Sequence, residues 1–366
     1  MRNLLTIVAA ALVTLVVPHH LCAAQAAGFG ADPVDDRLAR GVTEWVDRGV
    51  GVGDFDTGHT LFDREWLFGT YQMAALGFGQ HARDNPDARA ADLVRMEACI
   101  DRLLDADART FDSASWGEDP LASLDGPRGH IAYLGYLDLV LSLHRTLVPD
   151  SRYADLNDRI TDALRRRLAA DPTGIAETYP GERYPVDNAA AVGAIGLHAR
   201  ATGSDASTVA AFSAAVRARS LAPETGLLVQ ATRPDGTPAD RPRGSGTFLA
   251  AYFLSFADPA LSRDLYTAGR DAFYTNVGGF GAMREYPRGD DSPGDIDSGP
   301  LIAGYAVSST GFALAGARQS GDTATYDALL ATSELFGAPS DAGGVRHYAA
   351  GGPLGDAILF AMMTAR

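Results

Sequence analysis

The chain has 366 residues, of which 46% are hydrophobic and 21% charged, and it carries a net charge of −15. This is ordinary globular composition, long enough for one large core or two smaller ones. The acidic balance argues against nucleic acid as a partner, because phosphate binding needs a basic face and none is visible.

The N-terminus reads as a secretory signal peptide over residues 1–26. Arg2 precedes an apolar run from Leu4 to Val17, and Ala24-Gln25-Ala26 fits a small-residue cleavage site with cutting after Ala26. The apolar run is too short to cross a bilayer comfortably, so no membrane span is expected after cleavage. The expected product is an exported protein, secreted or periplasmic. The mature chain keeps Cys99 alone, which excludes an intramolecular disulfide. Cys99 sits on the apolar face of a helical pattern and reads as core.

Strict period-two alternation is rare, and period-3.6 patterns are common. Leu93, Met96, Ile100, Leu103 and Leu104 share one helix face, as do Ile131, Leu134, Leu137, Leu141 and His144. Twelve such segments are expected, at 35–48, 61–80, 88–106, 129–147, 151–170, 186–202, 205–219, 244–256, 259–275, 299–319, 322–335 and 351–365. The connections alternate in length. Residues 148–150, 203–204, 257–258 and 320–321 are short, whereas 107–128, 171–185, 220–243 and 276–298 are long and polar. Short loops join antiparallel neighbours, and long loops at every second connection gather at one end of a helical array. The expected fold is all-α: a single domain over 27–366, built as an (α/α)6 toroid of six helical hairpins, with the long loops rimming a pocket. A small hairpin around Pro234-Asp235-Gly236 is a minor decoration.

The most polar of these loops, 174–188, holds Glu177, Glu182 and Asp187 with two tyrosines and two prolines. Glu177 and Asp187, on either side of a turn, are candidate acid and base, since paired carboxylates in different environments hold one acid and one base near neutral pH. Asp187 also suits a helix cap. A second acidic run, 289–300, contains Asp290, Asp291, Asp295 and Asp297. Its spacing does not match a helix-loop-helix calcium site, and turn or capping duty is the plainer reading. Asp295 and Asp297 remain candidates for substrate contact at the mouth of the cavity. His130 follows Gly129 at a helix start, where the helix dipole favours a neutral ring. No zinc, nucleophile-elbow or phosphate-loop motif is present, so neither metal nor cofactor is expected.

Several motifs in order resemble the linalool dehydratase/isomerase family. They are Trp116-Gly117-Glu118-Asp119-Pro120 followed by Gly129-His130-Ile131, Ala170-Asp171-Pro172 leading to Gly174-Ile175, Asp258-Pro259-Ala260, and 295–299 followed by Gly311-Phe312-Ala313 and Ala317-Arg318. The resemblance implies the (α/α)6 toroid and an active-site role for His130. It places Glu177 and Asp187 where that family has two cysteines, and Ser245 where it has a tyrosine. The family's early aspartate has no assigned counterpart, with Asp54, Asp56 and Asp63 as candidates. The implied activity is dehydration or isomerisation of a small alcohol by carboxylates, with Trp116, Tyr179, Tyr184, Ser245, Asp295 and Asp297 around the substrate. Two alternatives stand beside it: glycoside hydrolysis, which also uses two carboxylates, and a secreted binding protein without catalysis. Homo-oligomerisation stays open.

Overall fold

The computed structural model describes residues 13, 14, 16–22 and 34–366. The expected cleavage site at Ala24–Ala26 and most of the leader lie outside these residues. Among the described residues, no helix is long and apolar enough to cross a membrane.

Among the described residues, twelve helices alternate between an outer and an inner ring. The outer helices are α1 (Val34–Arg48), α3 (Arg89–Leu104), α6 (Ala154–Ala170), α8 (Ser207–Ala215, prolonged by a wider turn to Ser220), α10 (Pro259–Phe273) and α12 (Thr323–Phe336). The inner helices are α2 (Thr60–Asp84), α5 (Ile131–Leu147), α7 (Pro185–Thr202), α9 (Gly244–Leu254), α11 (Val307–Gln319) and α13 (Gly352–Met363). Each inner helix packs on the next, and α13 packs back on α2, which closes the ring. The protein is an all-α (α/α)6 toroid.

The outer helices are amphipathic, because they bury one stripe against the ring. The inner helices are apolar almost all round and rich in small residues, because they are walled in on every side. Close approach depends on those small residues. A side chain at Gly135 would press on Ala191 of α7, and one at Gly193 would meet the Phe253 carbonyl of α9 at 2.6 Å.

All twelve expected helices are present, with differences in detail. The tenth, α11, begins at Val307 rather than near 299, and its N-cap residue is Ala306. Asp297 and Ser298 therefore do not cap it. A short further helix, α4 (Thr110–Trp116), interrupts the loop after α3 and ends on Gly117 in the left-handed conformation (φ 72°). Two hairpins were not expected: β1 (Tyr274–Val277) with β2 (Phe280–Met283), and β3 (Pro339–Ala342) with β4 (Val345–Tyr348). Four-residue strands are too short to show a periodicity. The turn at Pro234-Asp235-Gly236 is formed, with Gly236 at φ 82° and its N–H donating to Arg233 O.

Every long connection leads from an outer helix to the start of an inner one. Every short connection leads back. All six long loops, with both hairpins, therefore meet at the end where the inner helices begin.

Candidate active site

Burial along the inner helices locates a central cleft at that end. Tyr136 is the one residue between Ile131 and His144 of α5 that is not buried, and Asp187 is the one between Pro185 and Ala199 of α7. On α2, Glu65 and Gly69 are half-buried ahead of the buried run that follows. These partly exposed positions lie near the heads of three neighbouring inner helices.

Two tyrosine–carboxylate pairs occupy the cleft. The Tyr136 hydroxyl of α5 donates to Asp187 Oδ1 of α7 at 2.6 Å. The Tyr179 hydroxyl, from the loop between α6 and α7, donates to Glu65 Oε1 of α2 at 2.8 Å. Burial pushes the Glu65 carboxyl up to about 8; the Tyr179 hydrogen bond opposes this, and Asp297, Asp187 and Asp112 add repulsion. Burial also raises Asp187, to about 6, against hydrogen bonds from Tyr136 and Thr178. Asp297 is exposed, and desolvation with repulsion from Asp295 and Glu285 lifts it to about 6 against the pull of Arg243. Near neutral pH the cleft therefore holds a protonated Glu65 beside a largely ionised Asp187.

The loop between α6 and α7 is fixed by its sequence. Tyr179-Pro180-Gly181-Glu182 makes a tight turn closed by Glu182 N–H to Tyr179 O at 2.9 Å, and Gly181 supplies the positive φ of 81° that the third position of such a turn requires. Buried Asn188 clamps the loop to α7, because its side chain accepts from Ala176 N–H at 2.9 Å and donates to Ala176 O and Tyr184 O. Asp187 makes no capping bond; α7 starts at Pro185 with Tyr184 as N-cap residue. Glu177 pairs with Arg183 at 3.1 Å, and Arg183 also approaches Asp171 at 3.4 Å. The two expected acid/base partners thus sit in different surroundings: Asp187 with Tyr136 in the cleft, Glu177 in an ion pair within its own loop. The Tyr184 hydroxyl donates to Glu182 at 2.9 Å.

His130 is fully buried in the left-handed conformation at the head of α5 (φ 49°). Its Nδ1 lies 2.6 Å from Asp112 Oδ2 and its Nε2 lies 3.2 Å from Glu118 Oε1, so both ring nitrogens are engaged. Trp116, also buried, stacks on it with ring centroids 4.8 Å apart. Gly129 brings this turn against the loop between α6 and α7: a Cβ there would lie 1.8 Å from the Glu177 carbonyl oxygen. Ser245 is committed to buried Glu285, donating from its hydroxyl at 2.6 Å and its N–H at 3.2 Å. Ser309 of α11 donates to the same carboxylate. Asp295 accepts from Ser298 N–H and Asp297 N–H and pairs with Arg243, which with these bonds holds its carboxyl below the usual range against partial desolvation. Asp290 accepts from Ser292 and pairs with Arg241 at 2.6 Å. The acidic run therefore makes turns and ion pairs. Among the described residues, no group of three or more potential ligands is placed to hold a metal ion.

Asp63, one of the early aspartates, serves a turn by accepting from Thr57 N–H and Oγ1, each at 2.8 Å. Asp54 pairs with Arg48 at 2.6 Å, and Asp56 is exposed. Sequence reasoning missed Glu65, which lay within a segment read only as a helix. The available signal was an acid just ahead of a run from Trp66 to Arg83 that contains no other carboxylate.

No protein-family model and no curated protein matches the chain. Solved structures do. An inactive variant of the α-1,6-mannanase GH76A of Salegentibacter sp. HEL1_6, in complex with α-1,6-mannotriose, matches with a TM-score of 0.57 at 11% identity, over 89% of this chain and 98% of that one. A family 105 glycoside hydrolase of C. acetobutylicum ATCC 824 matches at 0.59 and 10% identity, over 90% and 98%. An unsaturated glucuronyl hydrolase of Streptococcus agalactiae matches at 0.52 and 10% identity, over 95% and 91%. At this identity the likeness is one of fold. It corrects the expected kinship with the linalool dehydratase/isomerase family, and with it the lyase and isomerase chemistry: these three toroids carry the names of glycoside hydrolases. The motifs behind that expectation serve the ring itself, as Gly117 does by ending α4 and Gly129 by letting two loops touch.

Proposed function

We propose that the chain is an exported glycoside hydrolase that cleaves an oligosaccharide in the central cleft, with Glu65 as general acid and Asp187 as general base. The observation that carries this reading is the pair of cleft carboxylates poised apart, Glu65 at about 8 and Asp187 at about 6. Two titratable groups whose surroundings separate them in this way divide the acid and base roles. Glu65 donates its proton to the glycosidic oxygen as that carbon–oxygen bond breaks. Asp187 removes a proton from the water that attacks the anomeric carbon, so water is added across the bond. Tyr179 and Tyr136 orient the two carboxyl groups. Asp297 adds negative charge that favours a developing oxocarbenium ion. The names of the toroids that share the fold lend the reading weight by analogy.

The test is product release from a panel of oligosaccharides, by the wild type and by Glu65→Gln and Asp187→Asn. Each substitution is expected to lower kcat by at least about a hundredfold, the scale of a lost proton-transfer group. Full activity in both variants would sink the assignment.

A further inference from the structure

The charges that bear most on the two central carboxylates are negative. Asp297, Asp187 and Asp112 act on Glu65, and Asp297 acts on Asp187. The guanidinium that reaches Asp297 belongs to Arg243, and it already holds Asp240 at 2.6 Å and Asp295. Arg241 stacks over Tyr286 and pairs with Asp290, and Arg183 is shared between Asp171 and Glu177. Arg128 is taken up by the Trp116 carbonyl and Glu118. What the cleft offers a ligand is therefore carboxylate oxygens and the half-buried rings and hydroxyls of Tyr136, Tyr179 and Tyr184.

We infer that the cleft selects its sugar by charge, taking neutral or amine-bearing residues and rejecting uronic acids and other anionic sugars at the cleaved bond. The inference rests on the hydrolase reading and narrows its substrate class. A sugar carboxylate entering this cleft meets like charges in a low-dielectric wall, and among the described residues the guanidiniums of Arg243, Arg241, Arg183 and Arg128 are already paired with carboxylates rather than open to receive it in the bidentate way that carboxylates are usually bound. Specificity here comes from the repulsive element, which costs a neutral sugar nothing. A protonated amine gains where the carboxylate loses, because an ammonium presents donors to the oxygens already in place.

Binding tests this independently of turnover. The full chain is titrated calorimetrically at pH 7 and low salt with three probes of one size: 1-deoxynojirimycin as cation, glucose as neutral ligand and glucuronate as anion. The cation is expected to bind at least tenfold more tightly than glucuronate, with glucose between them. Asp187→Asn is expected to shrink that ratio several-fold, as is 0.5 M salt, and Asp297→Asn gives the same readout should the first variant fail to fold. Glucuronate binding as tightly as the cation, or three indistinguishable or undetectable probes, overturns the inference. A blank oligosaccharide panel with the charge order intact sinks the hydrolase reading alone. Turnover of a polyuronate faster than of its neutral counterpart sinks the charge selection alone.

Discussion

At the scale of single residues, the two tyrosine–carboxylate pairs set the pH response. In the proposed reaction Asp187 acts ionised and Glu65 protonated, so activity should rise through about pH 6 and fall through about pH 8. The groups that act on Asp187 are Tyr136, Thr178 and Asp297, and those that act on Glu65 are Tyr179, Asp297, Asp187 and Asp112. Each tyrosine stabilises the ionised form of its partner, so removing its hydroxyl raises that partner further. Tyr136→Phe should move the acid limb of kcat to higher pH and leave the alkaline limb in place. Tyr179→Phe should move the alkaline limb to higher pH and leave the acid limb in place. The shift expected is about half a unit or more, the worth of one lost hydrogen bond to a charged group. A pH–rate profile in which both variants move the same limb would contradict the pairing. Asp187 stands out in the sequence because an acid in a Pro-rich loop is conspicuous. Glu65 does not, because a glutamate within a helical pattern looks the same whether the helix faces water or a cleft.

Among the elements, the loop at 174–188 depends on two fixings. Asn188 ties it to the helix that follows, and Gly129 lets it touch the turn carrying His130. Gly129→Ala would force the Glu177 carbonyl away from a Cβ 1.8 Å distant. That displacement drags the Tyr179 turn, so kcat should drop at least tenfold while the helical content by circular dichroism stays unchanged. An active Gly129→Ala enzyme would show that the loop position is not critical. The helices themselves were readable from period 3.6, and the alternation of short and long connections gave the toroid. The β hairpins and the late start of α11 were not readable. Strands of four residues carry too little pattern, and Pro300 with the glycines around it mimics a helix start where the chain instead makes a tight turn through Ile302 and Tyr305.

For the molecule as a whole, Glu65 has a thermodynamic cost. Its folded-state carboxyl lies at about 8, raised from 4.5, so the folded protein holds a proton that the unfolded chain releases between those values. The stability associated with that proton is complete below about pH 4.5 and is lost as pH climbs to about 8. Glu65→Gln, which cannot ionise, should raise Tm at pH 8.5 by at least roughly 3 °C and change it little at pH 4.5. Equal shifts at both pH values would show that packing, not ionisation, is responsible. The closure of the ring bears on how this protein assembles. Because α13 completes the circle against α2, the first and last inner helices are neighbours in space though separated by almost the whole sequence. The barrel resembles a masonry arch that stands only once its keystone is set. During synthesis every inner helix but the last can form with one flank exposed, and the wall of the cleft exists only after the final hairpin has emerged.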